Sequence, residues 1–419
     1  MPGLFAELKW RGFVHDATPG LDAHLTRGPV TVYCGFDPTA PSLQLGNLVP
    51  LMLLKHLQLA GHRPIVLMGG GTGLIGDPSG KRSERPLLSK EELSDNLERQ
   101  RAQMARFLEL DDVHGFLLDN AVWLVEEKLV DFLRDVGKHF TINVMLQKES
   151  VKARLDAGLS FTEFSYMLLQ AFDFLQLFRR HGCRLQVGGS DQWGNITAGV
   201  ELIRRVEGAE AHALVSPLVT TASGTKFGKS EAGAIYLDSA LTSPYQFYQF
   251  WYNTDDRDVE LYLKLFTLLS RKEITHYVEA TRKEPSRREA QTKLALEVTT
   301  RVHGEDATYN ATAVNAILFS DWDPHQVKPS VFDALAREIR SATIASADGL
   351  TLMDAIVHVG LAKSKSEARR LIQQGGVYLN QQRQTDANRK VDAQDWLVGE
   401  NLLLRKGKKD YALMRWARA

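Results

Sequence analysis

Cysteine is scarce in this chain of 419 residues. With only Cys34 and Cys183 present, one disulfide bond is the most that could form, and no group of cysteines and histidines has the spacing of a zinc site. We expect two free thiols in a reducing compartment. The sequence also lacks a run of about eighteen apolar residues and a basic leader followed by an apolar stretch, so it predicts neither a membrane span nor a signal peptide. A cytoplasmic protein is therefore expected.

Net charge is absent too, because 51 Lys and Arg balance 51 Asp and Glu. The distribution along the chain is nevertheless uneven. Residues 349–419 hold 13 basic and 7 acidic residues, a balance of +6, which leaves 38 basic and 44 acidic residues in 1–348. A basic terminal region suggests a polyanionic partner such as a nucleic acid. On charge alone, a solvated basic face is an equal alternative.

The length of 419 residues predicts two or three domains. In the first half, 29–37 and 63–73 have the pattern of strands that run into turns, and 47–61 between them has the pattern of a helix closed by Gly61. This order is a βαβ unit, so we expect a parallel α/β sheet with its ligand site at the carboxyl ends of the strands. Residues 183–195 repeat the strand-and-turn pattern.

The pattern becomes helical from about residue 245. Apolar residues recur three and four positions apart in 258–270 and 288–304. Residues 321–348 contain two prolines and have weaker periodicity, so we interpret them as a linker with a possible short helix at 331–340. The last seventy or so residues form the compact basic unit described above.

The segment Gly71–Gly76 fits the glycine pattern of dinucleotide-binding folds and would favour a nicotinamide-dependent oxidoreductase. Its context argues against this, because the third glycine is followed by the turn-forming residues 77–80 instead of a helix, and no acidic residue ends a second strand about twenty positions later. Gly80 and Lys81 do not complete a phosphate-binding loop either, since Arg82 stands where Ser or Thr is required. We expect the glycines to let the backbone approach a ligand, with a plain tight turn as the alternative.

Two other segments point to a nucleotide. Residues 33–48 place small and polar residues where the first strand gives way to a helix, and the free N–H groups and positive dipole end of a helix suit phosphates. Residues 223–230 contain two lysines three positions apart among glycines. Such a mobile loop can bring cations to a pyrophosphate as its charge develops. Alone, a segment of this kind is more often an ordinary surface loop.

Together, YCGFDPTAPSLQLGN (33–47) and KFGKS (226–230) resemble the two signature motifs of class I aminoacyl-tRNA synthetases. Four further segments are similar to parts of bacterial tyrosyl-tRNA synthetases and of their S4-type RNA-binding module: GLIGDPSGK (73–81), FTEFSYMLLQAFDF (161–174), GGSDQWGNITAG (188–199) and residues 361–382. The resemblance spans essentially the whole chain. It implies activation of L-tyrosine by ATP to tyrosyl-adenylate, with release of pyrophosphate, and transfer of the tyrosyl group to the 3′ end of tRNA(Tyr).

The first signature departs from the family pattern His-x-Gly-His. This chain has Gln44 and Asn47 in the two histidine positions, and their neutral amides can donate hydrogen bonds but cannot become cationic. We expect the geometry of the motif to be retained with weaker stabilisation of the transition state. The alternative is a catalytically impaired, RNA-binding pseudo-synthetase.

The resemblance implies roles for the residues of a tyrosine pocket. Tyr33 and Asp173 would contact the phenolic hydroxyl. A bound phenylalanine would leave both groups unpaired and desolvated, and this discrimination between the two amino acids is an established property of the family. Asp77, Tyr166 and Gln170 would accept hydrogen bonds from the ammonium group of the substrate. Each of the five could otherwise be an ordinary cap, turn or half-buried polar residue, and only their joint match favours the pocket.

The resemblance also implies an ATP site along the two signature motifs, with Gln192 near the reacting carboxylate. The tyrosine carboxylate attacks the α-phosphorus directly, so no side-chain nucleophile or general base is required and positioning and charge stabilisation suffice. The residues implied for ATP binding and for the transition state are Gly35, Asp37, Thr39, Gln44, Gly46, Asn47, Lys81, Arg85, Asp191, Lys226, Lys229 and Ser230.

The implied partners are tRNA(Tyr), L-tyrosine, ATP and a second copy of the chain, with no membrane and no DNA. Mg²⁺ would accompany the ATP phosphates, without a dedicated metal site or a tightly bound cofactor. The helical domain and the S4-like module would bind tRNA mainly through its phosphates and shape. Family members are homodimers, and 121–165 resembles their dimer-forming region.

The expected fold class is α/β with three domains. The predicted divisions are a Rossmann-like parallel-sheet catalytic domain at 1–222 with the dimer-forming insertion near 121–165, a mobile KFGKS loop region at 223–244, an α-helical anticodon-binding domain at 245–320, the linker at 321–348, and an S4-like α+β RNA-binding domain at 349–419.

Overall fold

The structure is a computed structural model that describes residues 3–79, 88–155, 158–225, 227–230, 233–320, 322–398 and 400–417. It divides into two compact units, one within 1–241 and 251–302 and the other within 242–250 and 303–419. Among the helices of the described residues, none combines the length and the apolar character needed to cross a bilayer. Cys34 and Cys183 are free and buried, as the sequence predicts, and burial raises the pKa of both thiols to about 12.

A six-stranded sheet forms the centre of the first unit. In the order β1-β6-β5-β2-β3-β4, all neighbouring strands are parallel except β1 and β6, which confirms the parallel α/β fold predicted from the sequence. The strand order reverses between β2 and β5, and in open α/β sheets ligands bind in the crevice beyond the carboxyl ends of the strands at such a point. The strands are β1 (Asp16–Ala17), β2 (Thr31–Phe36), β3 (Arg63–Met68), β4 (Phe116–Asp119), β5 (Leu185–Gly189) and β6 (His212–Ser216).

The central strands are buried almost throughout, because helices cover both faces of the sheet. In β3, all residues after Arg63 are buried, and β6 is buried over its whole length. Continuous apolar runs of this kind are typical of parallel sheets. The helices before residue 210 are α1 (Leu4–Arg11), α2 (Leu21–Thr26), α3 (Leu48–Leu59), α4 (Lys90–Met104), α5 (Ala121–Leu124), α6 (Leu129–Asp135), α7 (Ile142–Leu146), α8 (Glu149–Leu155), α9 (Phe161–His181) and α10 (Trp193–Glu207).

The longest of these helices, α9, has clear signals at both ends. Ser160 precedes its first residue, and the Ser160 Oγ accepts a hydrogen bond from the Glu163 N–H at 3.2 Å. Gly182 follows its last residue with φ of 61°, the left-handed conformation that glycine adopts at low cost. Apolar residues of α9 such as Phe174 and Leu177 are fully buried. The middle of the helix therefore packs in the hydrophobic core of the first unit.

The helical pattern predicted after residue 245 is present. Residues 258–270 contain α12 (Val259–Phe266), and 288–304 contain α14 (Glu289–His303). The loop before them forms a small hairpin of β7 (Lys229–Ser230) and β8 (Gly233–Ala234). The remaining helices of this region are α11 (Pro244–Tyr252), α13 (Arg271–Lys283) and α15 (Glu305–Phe319).

The second unit contains a five-stranded sheet in the order β11-β10-β12-β13-β9. Its neighbours are antiparallel except β13 and β9, so the terminal region is an α+β fold. The elements are α16 (Pro329–Glu338), β9 (Arg340–Ile344), α17 (Leu352–His358), α18 (Lys365–Gln373), β10 (Val377–Leu379), β11 (Gln382–Gln384), β12 (Asn401–Lys406) and β13 (Asp410–Trp416).

The interpretation of 321–348 as a linker is wrong for most of its described residues. Pro329 stands at the first position of α16, where the missing N–H has no helical partner to lose. The short helix expected at 331–340 therefore begins and ends two residues earlier, and β9 follows it directly as an edge strand. Weak periodicity concealed the strand. The buried residues Val331, Phe332 and Leu335 pack with Leu403 and Leu413 of the terminal sheet.

Candidate active site

Two cavities lie beside the carboxyl ends of the neighbouring strands β2 and β5. The first cavity has a volume of about 260 Å³ and the second about 650 Å³. They are adjacent, because the same six residues line both: Asn47, Pro50, Asp77, Gly188, Gly189 and Gln192. The ligand site predicted at the carboxyl ends of the strands thus lies where the strand order of the sheet reverses.

Most residues singled out in the sequence line these two cavities. Those in the first cavity are Tyr33, Gly35, Asp37, Thr39, Asn47, Asp77, Tyr166, Gln170, Asp173 and Gln192. Those in the second cavity are Gln44, Gly46, Asn47, Asp77, Asp191 and Gln192. Lys81, Arg85 and Lys226 lie outside the described residues, as do the side chains of Lys229 and Ser230, whose backbone forms β7.

One end of the first cavity holds an unpaired hydroxyl. Tyr33 is 1% exposed, and its OH has no hydrogen-bond partner among the described residues. The ring packs edge-on against Phe174 at 5.1 Å between centroids, which fixes its direction. Burial, and then the nearby Asp173 carboxylate, raise the pKa of the Tyr33 hydroxyl far above its usual range, so it remains a neutral donor. An orphaned buried hydroxyl costs free energy unless a ligand pairs with it.

Asp173 faces the same cavity and is held as an acceptor by two donors. Trp123 Nε1 donates to its Oδ1 at 2.7 Å, and Asn120 Nδ2 donates to its Oδ2 at 2.9 Å. Burial raises the pKa of Asp173 to about 7, although the two hydrogen bonds act in the opposite direction. The sequence reasoning missed Asn120 and Trp123. Their signal was their position directly after β4, at the same edge of the sheet as the other site residues.

A second network crosses the middle of the first cavity. The Tyr166 hydroxyl donates to Asp37 Oδ2 at 2.7 Å, and the Thr72 hydroxyl donates to Asp37 Oδ1 at 2.7 Å. Asn120 Nδ2 also donates to Thr72 Oγ1 at 2.9 Å, which joins this network to Asp173. Asp37 was assigned to ATP from the sequence, yet here it holds Tyr166, a residue assigned to tyrosine.

A polar cluster lies where the two cavities meet. Gln192 Nε2 donates to Asp77 Oδ2 at 2.7 Å, and the Ser79 N–H donates to Asp77 Oδ1 at 2.9 Å. Asn195, which the sequence reasoning did not single out, donates from Nδ2 to Gln170 Oε1 at 3.1 Å. The cluster is therefore rich in oxygen acceptors, which is what an ammonium group requires.

The two signature segments, distant in sequence, are joined by backbone hydrogen bonds. The Leu45 N–H donates to the Ile235 oxygen at 3.2 Å, and the Ile235 N–H donates to the Gly228 oxygen at 3.0 Å. Gly228 has φ of 80°, and a Cβ there would lie 3.1 Å from Leu45 Cβ. Both the conformation and the close approach require glycine at this position.

Gln44 and Asn47 form a closed turn before α3. The Gln44 N–H donates to Asn47 Oδ1, and the Asn47 N–H donates to the Gln44 oxygen, both at 2.9 Å. Because Asn47 Oδ1 is engaged, its amide nitrogen is the atom that can donate to a ligand. None of the described residues lining the two cavities is a histidine. The side chains that this turn can offer to a ligand are thus the neutral amides of Gln44 and Asn47.

Phe227 anchors the second signature segment in an aromatic cluster. Its ring stacks on Phe266 at 5.2 Å with 9° between the planes, and it lies 5.1 Å from the Tyr262 ring and 5.9 Å from the Trp251 ring. Phe227 is buried, whereas residues 222–225 before it are exposed. The middle of this segment is therefore packed against later helices through Phe227.

The glycines after β3 serve packing. A Cβ at Gly71 would lie 2.9 Å from Leu124 Cδ1, and one at Gly73 would lie 2.7 Å from Leu93 Cδ1. The expectation that these glycines admit a ligand is wrong for both positions, because side chains of α4 and α5 occupy the space. Gly76 adopts φ of 87°, so it serves a tight turn.

An apolar surface occupies the region 121–165. Ten large apolar side chains are exposed there, and Phe161 is the most exposed at 78%. A concentration of this kind marks an interaction surface in soluble proteins. The ten residues, here called the apolar face, are Val122, Val125, Leu129, Val130, Leu133, Ile142, Val144, Leu146, Leu155 and Phe161.

Comparison with known proteins gives a consistent family. Residues 25–320 match the family described as tRNA synthetases class I (W and Y), and 332–414 match the tyrosine–tRNA ligase SYY-like C-terminal domain. The tyrosine–tRNA ligase of Roseiflexus castenholzii is 52% identical, covering 99% of this chain and 100% of its own. That of Geobacillus stearothermophilus is 49% identical with the same coverage.

A solved structure shares the fold of the catalytic part. A C-terminally truncated mitochondrial tyrosyl-tRNA synthetase of Aspergillus nidulans aligns with a TM-score of 0.69 and 32% identity, covering 76% of this chain and 95% of that chain. The tyrosyl-tRNA synthetase of Archaeoglobus fulgidus, complexed with L-tyrosine, aligns with a TM-score of 0.54 at 16% identity, which is a likeness of fold alone.

Proposed function

We propose that this chain, which belongs to the class I tRNA synthetases of the tryptophan and tyrosine family, is a tyrosine–tRNA ligase. ATP and L-tyrosine react to form tyrosyl-adenylate and pyrophosphate, and the tyrosyl group then passes to the 3′ end of tRNA(Tyr). The observation that carries the choice of amino acid is the buried Tyr33 hydroxyl, which has no partner among the described residues and shares its cavity with Asp173.

Recognition of the phenol follows from these two groups. The Tyr33 hydroxyl and the Asp173 carboxylate, one donor and one acceptor, can both pair with a phenolic hydroxyl at the closed end of the first cavity. Trp123 and Asn120 keep the carboxylate oriented. A phenylalanine would leave the site's polar atoms buried and unpaired, which is the strongest form of discrimination against a smaller substrate. The ring itself would lie against apolar residues such as Leu67.

The ammonium and carboxylate of the substrate would lie near the junction of the cavities. Asp77, Tyr166 and Gln170 supply oxygen atoms around the ammonium, and Gln192 lies beside Asp77 at 2.7 Å. The substrate carboxylate then faces the second cavity. Its oxygen attacks the α-phosphorus of ATP, a new P–O bond forms, and the bond to the β-phosphate oxygen breaks as pyrophosphate leaves. Holding both reactants in line supplies most of the rate enhancement.

The second cavity is the place for ATP. Gly46 and Gly189 keep parts of its wall free of side chains, and Asp191 supplies an acceptor for ribose hydroxyls. Gln44 and Asn47 donate neutral hydrogen bonds beside the first turn of α3, where the helix dipole favours phosphate. We assign Gly35, Asp37 and Thr39 to the wall between the nucleotide and the tyrosine, since all three line the first cavity.

Cations for the leaving pyrophosphate would come from Lys81, Arg85, Lys226 and Lys229, with Ser230 beside them; this rests on the family resemblance alone. Mg²⁺ would be held by the ATP phosphates, as the family resemblance implies. Bound to the phosphates, the ion would neutralise charge on the leaving group.

The remaining assignments concern partners. The apolar face supports a homodimer, since ten exposed apolar side chains in one region would be covered by a second copy. We assign anticodon-region binding to 245–320 and S4-like RNA binding to the basic terminal region. The folded unit that contains this region starts at β9 instead of residue 349, because β9 pairs with β13. The protein would act in the cytoplasm.

Tyrosine-dependent ATP–pyrophosphate exchange tests the function. We expect exchange with the unmodified chain, and a higher rate when Gln44 and Asn47 are both replaced by histidine. The histidine variant is included because the first signature carries two neutral amides. Exchange that is absent in the unmodified chain but present in the histidine variant would show that these amides prevent the reaction; absence in both would defeat the ligase assignment itself.

A further inference from the structure

A buried ion pair joins α8 to the first turn of α9. Arg154 donates from Nη1 to Glu163 Oε1 at 3.2 Å and from Nη2 to Glu163 Oε2 at 2.8 Å. The two side chains are only 2% and 3% exposed. Arg154 Nη2 also donates to the Gly158 oxygen at 3.2 Å, so the guanidinium contacts the backbone just before α9 as well.

Such a pair is costly to bury. Removing two charges from water carries a large desolvation penalty, and apolar side chains of similar volume often replace a buried ion pair with no loss of stability. Stability alone therefore does not explain Arg154 and Glu163. A two-pronged contact between a planar guanidinium and a carboxylate does fix relative position and rotation, because both groups are rigid and directional.

Glu163 begins the face of α9 that lines the first cavity. Tyr166, Gln170 and Asp173 follow it by three, seven and ten residues, so the four side chains lie along one face of the helix. Tyr166, Gln170 and Asp173 line the cavity, whereas Arg154 and Glu163 do not. The ion pair thus holds the recognition face from its amino-terminal end without reaching the substrate.

We propose that Arg154 and Glu163 are positioning residues for the ammonium end of the tyrosine site. The pair fixes the rotation of the first turn of α9 and thereby the backbone that carries Tyr166, which lies three residues, or about 4.5 Å along the axis, from Glu163. The Tyr166 hydroxyl at the far end of the side chain is bonded to Asp37 at 2.7 Å. Asp173 lies about 15 Å along the axis and is held separately by Trp123 and Asn120. This proposal rests on the function proposed above.

Loss of the ion pair should therefore affect the contacts to the ammonium group and the contacts to the phenol differently. A small rotation at the start of α9 displaces Tyr166 first and Gln170 next, which weakens contacts to the ammonium group. Contacts to the phenol stay intact, since Asp173 and Tyr33 have their own supports. Weaker tyrosine binding with unchanged preference for tyrosine over phenylalanine is the signature of a positioning role, because general loss of structure would affect both.

The test replaces the pair by apolar side chains of similar size, Arg154→Met with Glu163→Leu, in the full chain. Exchange kinetics should show the KM for tyrosine raised about tenfold, the value of one displaced hydrogen bond. The KM for ATP, the tyrosine-to-phenylalanine ratio and the melting temperature should stay close to those of the unmodified chain. The matched control is Arg179→Met with Glu207→Leu, an ion pair at the other end of α9 with 45% and 28% exposure, which should leave the KM for tyrosine unchanged.

An unaltered KM for tyrosine in the folded double variant would overturn the proposal, as would an equal loss of phenol discrimination. If the double variant does not fold, Glu163→Asp keeps the charge but withdraws the carboxylate by one methylene. It should raise the KM for tyrosine in a folded protein, and an unchanged KM would again reject the positioning role. Failure of the proposed function is a separate result, since the unmodified chain would then show no tyrosine-dependent exchange.

Discussion

At the scale of single residues, the first cavity contains polar atoms that the free protein leaves unsatisfied. The Tyr33 hydroxyl is buried without a partner among the described residues, while both oxygens of Asp173 are already oriented by donors. A buried donor without an acceptor lowers the stability of the free protein. Groups arranged in this way are therefore suited to pair with a ligand. The binding site is in this sense prepared before tyrosine arrives.

Replacing Tyr33 with phenylalanine should therefore separate stability from specificity. The variant loses a hydroxyl that contributes no hydrogen bond to the free protein, so its melting temperature should be equal to or higher than that of the unmodified chain. Its preference for tyrosine over phenylalanine should fall about tenfold, the value of one neutral hydrogen bond. Thermal unfolding and exchange kinetics with both amino acids measure the two effects. A clear drop in melting temperature would contradict the account.

Asp173 should make stability depend on pH. Its pKa is raised from 3.8 to about 7 in the folded protein, so between these values the folded state binds more protons than the unfolded state. The free energy of unfolding should then fall as pH rises from about 4 to about 7. Asp173→Asn lacks this proton, so the decline should be shallower in the variant. Denaturant unfolding at several pH values compares the slopes, and parallel slopes would refute the assignment.

At the scale of secondary-structure elements, the central strands and their connecting helix were predictable because each carries a strong local pattern. β2, α3 and β3 lie within the predicted segments, and the helix ends before Gly61 with its φ of 91°. Most of the site residues follow from these elements, since parallel strands bring their carboxyl ends to one edge. Motif positions supplied the rest through the family resemblance.

The elements that the sequence concealed were those fixed by distant contacts. β9 is a strand because it pairs with β13, about seventy residues later, and nothing in its own sequence alternates clearly. Asn120 and Trp123 point at Asp173 only because α5 follows β4 at the site edge. The centre of the KFGKS segment is fixed because Phe227 meets an aromatic cluster formed by later helices. Local pattern carries no information about such partners.

Phe227 should hold the second signature segment in the position that catalysis requires. With Phe227→Ala, the stacking on Phe266 and the contacts to Tyr262 and Trp251 disappear, and the loop centre loses its anchor. We expect the exchange rate constant to fall at least about tenfold, because misplaced catalytic groups cost rate steeply, while the KM for tyrosine stays close to normal. Phe227→Tyr, which retains the ring, should keep most of the activity. A raised tyrosine KM with a normal rate constant would contradict this role.

At the scale of the whole molecule, the apolar face and the basic terminal region predict two different associations. Val130 is 74% exposed within the apolar face, so Val130→Asp should convert a dimer to a monomer by placing a charge in an apolar interface. Sedimentation velocity measures the change. Leu59→Asp is the matched control, since Leu59 is 60% exposed but lies outside that face. Equal sedimentation of the unmodified chain and the Val130 variant would remove the proposed interface.

Substitutions in the basic terminal region should weaken tRNA binding and leave tyrosine activation unchanged. Deleting 349–419 is not a clean test, because it would remove the pairing partner of β9. Lys363, just before α18, and Arg369 and Arg370 within it are exposed, so we expect the fold to tolerate alanine at all three positions. The variant should show a higher KM for tRNA and a smaller dependence of that KM on salt, since phosphate contacts release counterions. Exchange without tRNA should be unchanged, and normal tRNA kinetics would oppose the assignment.

The central claim is that the first cavity selects tyrosine by its hydroxyl and presents it to ATP in the second. The most direct measurement is ATP–pyrophosphate exchange by the unmodified chain with tyrosine and, separately, with phenylalanine. The account predicts exchange with tyrosine and a kcat/KM for phenylalanine lower by roughly four orders of magnitude or more. Exchange that is absent with tyrosine, or of similar efficiency with both amino acids, would contradict it.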